Sequence, residues 1–317
     1  MLDKPAPQVR HDAIMYDTPD ALLQAAVPFV EGGLFAGEVV VVQVPEHTWS
    51  LLKPQLASTQ RILLDPLNDV YGHPHQALWG LKQLVEEEVR DGATAVRALA
   101  ETPPKRLASD YADWGRTEAL LNTALGRVDY WGLCPYSRND LSPAVIDMAV
   151  RTHPWLVNSG NRHENPAFEP TRDYLMRVDS VRAPDPLEAT PPIATQTLLT
   201  MADLSAARNK LEEAFKLTTL DVDRKADLSD ALFEVAVNAM LHGGEIASVQ
   251  LWVTKDRLLC QVRDSGPGLP DPLAGYQPPD RRVPGAGLGL WSARQLCDMV
   301  TTNMEPEGFT VRLSVGF

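Results

Sequence analysis

Glu234-Val-Ala-Val-Asn238-Ala-Met-Leu-His242, Asp264-Ser-Gly266-Pro-Gly268 and Gly285-Ala-Gly287-Leu288-Gly289-Leu290 follow one another in the last third of a chain of 317 residues. Leu228, Leu232, Val235, Ala236, Ala239 and Met240 recur around the first segment at three- and four-residue spacing, which predicts a helix with one apolar face. Glu234, Asn238 and His242 stand at i, i+4 and i+8 and so form a separate polar stripe on it. Gly243-Gly244 follows at once, a stop signal, because glycine accepts the left-handed geometry of a helix end. The bland reading of such a stripe is a solvated outer face. Solvated faces usually carry several Lys, Arg or Glu, whereas this one offers one carboxylate, one amide and one imidazole, a set better suited to binding.

The second segment ends a strand: Leu258, Leu259, Gln261 and Val262 lead into Asp264, and Gly-Pro-Gly then forces a turn. Taken alone, this is a common turn. In the third, Gly287 and Gly289 precede Trp291, Ala293, Leu296 and Met299, which read as a helix. A glycine-rich turn feeding a helix N-terminus presents free backbone N–H groups to an anion. In this order and spacing the three describe a nucleotide pocket, with a metal-bearing helix, a base-reading acid and a phosphate loop.

At these residues the chain resembles the N, G1 and G2 boxes of the gyrase, Hsp90, histidine kinase and MutL ATPase superfamily. The run Gly285 to Asp298 is more narrowly similar to the anti-sigma serine kinases of bacterial stress and sporulation switches. The resemblance covers about residues 195 to 317. It implies a Bergerat-type α/β sandwich of a mixed sheet and three helices, binding ATP with Mg²⁺ beneath a movable lid. It assigns Asn238 to Mg²⁺ and makes Glu234 the catalytic base for a hydroxyl nucleophile. Asp264 would accept from the adenine amino group, with Gly266 and Gly268 admitting the base. Gly285, Gly287, Leu288 and Gly289 would cradle the phosphates, Thr310 would help to hold adenine, and His242 completes the nucleotide-binding set. The lid would run from Leu269 to Pro284. Its Arg281 and Arg282 read either as an exposed basic pair or as a source of one arginine, Arg282, for the γ-phosphate.

Proline at 184, 186, 191 and 192 marks a join, so the expected organisation is a domain over 10–180, a linker over 181–195 and the ATPase domain over 196–317. Upstream, Val39 to Val44, Arg61 to Leu64, Ala95 to Leu99 and Trp131 to Cys134 read as strands, with helical stretches such as Gln76 to Arg90 between them. That alternation predicts a doubly wound α/β domain with a mainly parallel sheet.

This half resembles the sensory domain named for methanogens and methylotrophs, MEDS. The match rests on His11 with Tyr16, Phe29 to Glu38, Glu101, the helix of Glu118, Cys134-Pro-Tyr136 and Arg151-Thr-His153-Pro154. Such domains are similar to RecA-like ATPase cores, yet a phosphate loop after Val44 would need glycines and a Lys-Ser/Thr pair. The chain reads Pro45-Glu-His-Thr-Trp49 there, so this half is not expected to bind nucleotide in that mode. His11, Glu101, Cys134 and His153 fall near strand ends, where open α/β sheets bind ligands. They read either as packed structural groups or as a sensor pocket.

The formal net charge is −13, and residues 197–317 carry 12 basic and 16 acidic side chains, so most of the excess lies upstream. An acidic chain without a basic block is a poor binder of DNA. Any action on transcription is therefore expected to pass through a protein. The anti-sigma resemblance makes that partner a sigma factor, a STAS-type anti-anti-sigma protein, or both, and implies a possible homodimer. No apolar run of about eighteen residues and no basic-headed signal segment occurs, and Cys134, Cys260 and Cys297 lack metal or disulfide spacing. The expectation is a cytoplasmic protein without membrane attachment. Two function classes compete, a kinase that phosphorylates Ser or Thr of the anti-anti-sigma partner and a non-catalytic module that sequesters sigma. A sensor histidine kinase is a third reading, opposed by Pro166 and Pro170 beside His163 and by a segment from Asp203 to Leu217 without histidine.

Overall fold

The computed structural model describes residues 9–65, 73–125, 128–158, 160–180, 185–269, 271–276, 288–305 and 308–317. The chain divides into two compact units, Met1–Tyr174 and Leu175–Phe317.

In the first unit strands and helices alternate: β1 (Val9–Tyr16), α1 (Pro19–Ala36), β2 (Val39–Gln43), α2 (Glu46–Leu52), β3 (Ile62–Leu64), α3 (Pro74–Arg90), β4 (Val96–Ala100), α4 (Pro104–Ala124), β5 (Tyr130–Ser137), α5 (Pro143–Thr152), β6 (Trp155–Asn158) and β7 (Asn161–Glu164). The sheet order is β3-β2-β4-β5-β1-β6-β7, parallel except for the closing β6–β7 hairpin. Val40, Val41 and Val42 are all buried because helices cover both faces, which is why this strand reads as a continuous apolar run. On one face α1 sets Leu22, Ala26, Phe29 and Val30 against Ile14, Val40, Val42 and Leu133. Glu118 of α4 reaches His11 and Tyr136 on the other face. Thr18 caps α1 by accepting from the Ala21 amide (3.2 Å), and Gly37 ends it at φ +72°.

The second unit follows α6 (Thr171–Ser180), which straddles the division. It contains β8 (Ala194–Leu198), α7 (Met201–Phe215), α8 (Val222–His242), β9 (Ala247–Val253), β10 (Arg257–Asp264), α9 (Leu288–Leu296), β11 (Met299–Glu305) and β12 (Gly308–Gly316). The sheet, ordered β11-β12-β10-β9-β8, is antiparallel at every described pairing rather than mixed, because β9–β10 and β11–β12 are consecutive neighbours and β8 pairs antiparallel to β9. Helices α7, α8 and α9 pack on one face over Val249, Leu251, Leu258, Cys260, Val262, Val311 and Leu313. Residues 185–190, inside the proline-marked stretch, form a 3-10 turn on the opposite face. Asp185 pairs with Arg257 (2.8 Å), Glu188 pairs with Arg312 (2.6 Å), and the Trp252 indole donates to the Thr190 carbonyl (2.9 Å). Among the described residues no helix is long and apolar enough to cross a membrane.

Candidate functional site

The second unit holds a cavity of about 560 Å³ between its helices and its sheet, a size ordinary for a small-molecule site. Val235 and Leu290 from the helices and Val262 and Phe309 from the sheet give it apolar walls, and Asn238, His242 and Asp264 bring polar groups to it. Asp221 starts α8 by accepting from the Arg224 amide (2.8 Å), and the apolar face of the helix then buries Leu228, Leu232, Val235, Ala236 and Ala239. That phase turns Glu234, Asn238 and His242 away from the core. None of the three side chains makes a hydrogen bond to another described residue, which leaves their polar groups open to a ligand.

The helix ends where the turn after Asp264 begins. A Cβ at Gly243 would stand 2.4 Å from Asp264 Cβ, and one at Gly266 would stand 2.7 Å from Gly243 Cα. Backbone touches backbone here, and only glycine fits. Asp264 lines the cavity; its Oδ1 accepts from the Gly266 amide (2.8 Å), while Oδ2 has no hydrogen-bond partner among the described residues. Burial raises the Asp264 carboxyl above its ordinary value. Gly268, at φ +75°, lies against Met304.

The first turn of α9 meets the polar stripe: a Cβ at Gly289 would lie 2.6 Å from Asn238 Nδ2 and 3.0 Å from Glu234 Oε2. Asn238, His242 and the buried Asp264 thus border one cavity with Leu290 of the first turn of α9, and Glu234 stands beside Asn238 at that turn without lining the cavity. That combination suits an anionic ligand with a hydrogen-bonding ring. The region expected to form the lid is rooted through residues 271–276, where the Leu273 amide donates to Asp271 (2.9 Å) and Gly275 lies against Leu290. Arg281, Arg282, Gly285 and Gly287 lie outside the described residues.

Thr310 requires a correction. Along β12 it is Phe309, Val311, Leu313 and Val315 that join the core beneath the helices, so strand alternation turns Thr310 to the opposite face, with Arg312. It is fully buried there and does not border the cavity.

In the first unit, the four residues expected near strand ends separate. His11, Cys134 and His153 converge with Glu118 on the α4 face of the sheet. Glu101 lies on the α1 side, accepting from Tyr16 (2.8 Å) and Thr48 (2.5 Å). Burial raises both Glu101 and Tyr16. Strand β2 runs through Val44 and Pro45 straight into α2, whose Thr48, Trp49 and Leu52 are buried, so packed side chains occupy the place where a phosphate loop would open. In the converging cluster, burial pushes His153 down to about 3 and raises Cys134. Burial pulls Glu118 up, but the hydrogen bond to His11 holds it below its ordinary value. Sequence reasoning placed Glu118 on a matching helix without joining it to this cluster. Its one local signal is Asn122, one helical turn on, which buttresses His11.

Residues 10–154 match the family model of MEDS, the MEthanogen/methylotroph, DcmR Sensory domain, and residues 198–315 match that of the histidine kinase-like ATPase domain. A search of the curated proteins finds no match. Among solved structures, the crystal structure of the RsbU and RsbW domains of Rv1364c from Mycobacterium tuberculosis is similar at 19% identity, over 39% of this chain, with a TM-score of 0.29. This chain covers 32% of that one.

Proposed function

We propose that this chain, which joins a MEDS domain to a histidine kinase-like ATPase domain, is an anti-sigma-type regulator that binds ATP with Mg²⁺ and phosphorylates a Ser or Thr of an anti-anti-sigma partner. One observation carries the reading. Glu234 and Asn238, without hydrogen-bond partners among the described residues, stand at the first turn of α9 beside a nucleotide-sized cavity that ends in Asp264. The family match makes the second domain an ATPase domain, and so a nucleotide-binding one.

The residues fit the nucleotide. Asp264 keeps Oδ2 for the adenine amino group, and a Cβ would close the approach at Gly289. In this reading Asn238 holds Mg²⁺, and the backbone N–H groups at Leu288 and Gly289 meet phosphate. Glu234 accepts the proton of the partner's hydroxyl as that oxygen bonds to the γ-phosphorus and ADP leaves. Bound ATP supplies the phosphoryl group, and catalysis of its transfer is mostly positioning and charge neutralisation. The MEDS half, over residues 10–180, is the regulatory input, joined through 181–195 to the ATPase half at 196–317. The net charge of −13 is consistent with action through a sigma factor or its antagonist rather than through DNA.

The test is incubation of the full chain with labelled ATP and candidate STAS-type proteins. Label is expected on a Ser or Thr of a partner, lost in Glu234→Ala while ADP binding persists. Tight sigma binding with no transfer would replace the kinase by a sequestering module. Acid-labile label on the chain itself would instead indicate a histidine kinase.

A further inference from the structure

The side chains of His11, Glu118, Cys134 and His153 come from four different elements, β1, α4, β5 and the end of α5. All four residues are buried, and one ligand atom from each lies within 4.8 Å of the other three. His11 Nε2 is 3.1 Å from Glu118 Oε2 and 3.4 Å from Cys134 Sγ. Cys134 Sγ is 4.0 Å from Glu118 Oε2, and His153 Nε2 is 3.6 Å from the same oxygen. Metal–ligand bonds of about 2.0–2.3 Å in a tetrahedron set their ends roughly 3.3–3.8 Å apart. The four separations above, 3.1–4.0 Å, bracket that range, and all the ligand atoms lie within 4.8 Å of one another.

The surrounding hydrogen bonds aim these atoms inward. His153 Nδ1 donates to the Ala149 carbonyl (2.7 Å), so its Nε2 presents a lone pair to the cluster. That nitrogen is buried and makes no hydrogen bond among the described residues, a costly state for a polar atom in the interior. Asn122 donates its amide N–H to the carbonyls of Thr152 (2.9 Å) and Ala119 (3.2 Å), which leaves Oδ1 to accept from His11 Nδ1 (3.3 Å). His11 Nε2 is therefore turned to the same centre. Tyr136 donates to Glu118 Oε1 (3.0 Å) and holds the other oxygen, Oε2, inward. Such outer bonds are what fix the tautomer and orientation of metal-binding histidines and carboxylates.

The geometry points to a closed, four-coordinate site for a thiophilic divalent cation of the zinc class, held by His11, Glu118, Cys134 and His153. Two imidazoles, a thiolate and a carboxylate are borderline-to-soft donors that suit Zn²⁺ and do not suit Mg²⁺ or Ca²⁺. A divalent cation with one thiolate and one carboxylate gives a buried site of zero net charge. The thiol proton, and any proton on the nitrogen and oxygen atoms that become ligands, leaves to solvent on binding. Four protein ligands leave no open position, so the ion pins β1 and β5 to α4 and α5 and does no catalysis.

Because the cluster is buried, metal is offered during synthesis. The full chain is expressed in minimal medium with Zn²⁺ or Co²⁺, purified without chelators and assayed for bound metal. One equivalent is expected, and the cobalt form should show a thiolate-to-metal charge-transfer band with tetrahedral d–d bands. Cys134→Ser should abolish the charge-transfer band, and His153→Gln should lower metal retention at least tenfold. Tyr136→Phe leaves every ligand in place and should weaken retention against a competing chelator by about 10–100-fold. Wild-type protein that emerges metal-free, or a cobalt form without the thiolate band, overturns the site without reference to any variant. Retention undiminished in both Cys134→Ser and His153→Gln overturns it equally.

Discussion

Tyr276 lays its ring beneath the guanidinium of Arg294, whose Cζ stands 3.7 Å from the ring centroid. Arg294 is almost wholly buried and donates from Nη1 to the Val300 carbonyl (2.6 Å), so the contact fastens the root of the loop beside the cavity to α9. Cation–π contacts of this kind contribute about 1–2 kcal/mol when desolvated. Tyr276→Ala is expected to weaken ADP binding roughly 3- to 10-fold by releasing residues 271–276, and faster amide exchange there should accompany the loss. Tyr276→Phe keeps the ring and should stay near wild type. Calorimetric affinities that match in Tyr276→Ala and wild type would remove the anchoring role.

Asp264 offers a sharper test, because its two oxygens have different work. Oδ1 already accepts from the Gly266 amide, so Asp264→Asn can keep the turn with its amide oxygen at that place. Its NH₂ then faces the adenine amino group, donor against donor. Hydrogen bonds to charged groups contribute about 1.5–3 kcal/mol, which corresponds to roughly 10- to 100-fold in ADP affinity. The melting temperature should move little. An Asn variant that binds ADP like wild type would show that the base is read elsewhere.

The same carboxyl sets a pH dependence. Burial raises Asp264, so the free domain takes up a proton there at higher pH than an exposed aspartate would. Once protonated at Oδ2, with Oδ1 still accepting from the Gly266 amide, it no longer accepts from the adenine amino group. ADP affinity is therefore expected to be full above this raised value and to fall as pH drops through it, beginning above the usual aspartate range. In Asp264→Asn the acid limb should flatten. Isothermal titrations across mildly acidic buffers, with far-UV circular dichroism to exclude unfolding, measure both curves.

The pocket was legible where its signals are local. Glu234, Asn238 and His242 recur every fourth residue on one helix, and Gly243 and Gly266 meet because helix end and turn must touch. Thr310 was misplaced because its role came by resemblance, whereas the phase of β12 is fixed by Phe309 and Val311 beneath the helices. In the first unit the strands are buried on both faces, so nothing in a run such as Val39 to Gln43 tells which side a residue takes. Glu101 and His11 therefore looked like neighbours, although the sheet separates them. Glu118 joins the His11 cluster by tertiary packing of α4 against β1 and β5, which no spacing records. The proline-marked join hid a turn whose Asp185 and Glu188 are bound to arginines far along the chain.

Two glycines of the pocket should separate stability from binding. At Gly289 an added Cβ would meet the ends of side chains, Asn238 Nδ2 at 2.6 Å and Glu234 Oε2 at 3.0 Å, and these can swing aside. Alanine also favours a helix over glycine by about 1 kcal/mol. Gly289→Ala should thus keep or raise the melting temperature while displacing the two side chains on which Mg²⁺ and proton transfer depend. Mg²⁺-dependent ATP affinity and phosphoryl transfer are expected to fall at least tenfold. Gly266→Ala runs the other way: its Cβ would meet backbone, Gly243 Cα at 2.7 Å and the His242 carbonyl oxygen at 2.9 Å, which cannot yield without moving the helix end. A loss of about 1–3 kcal/mol of stability is expected there, as for other overpacked sites. Thermal melts and ADP titrations on the two variants decide the matter. A Gly289→Ala protein that melts early, or that binds ATP with Mg²⁺ normally, would separate the first turn of α9 from the site.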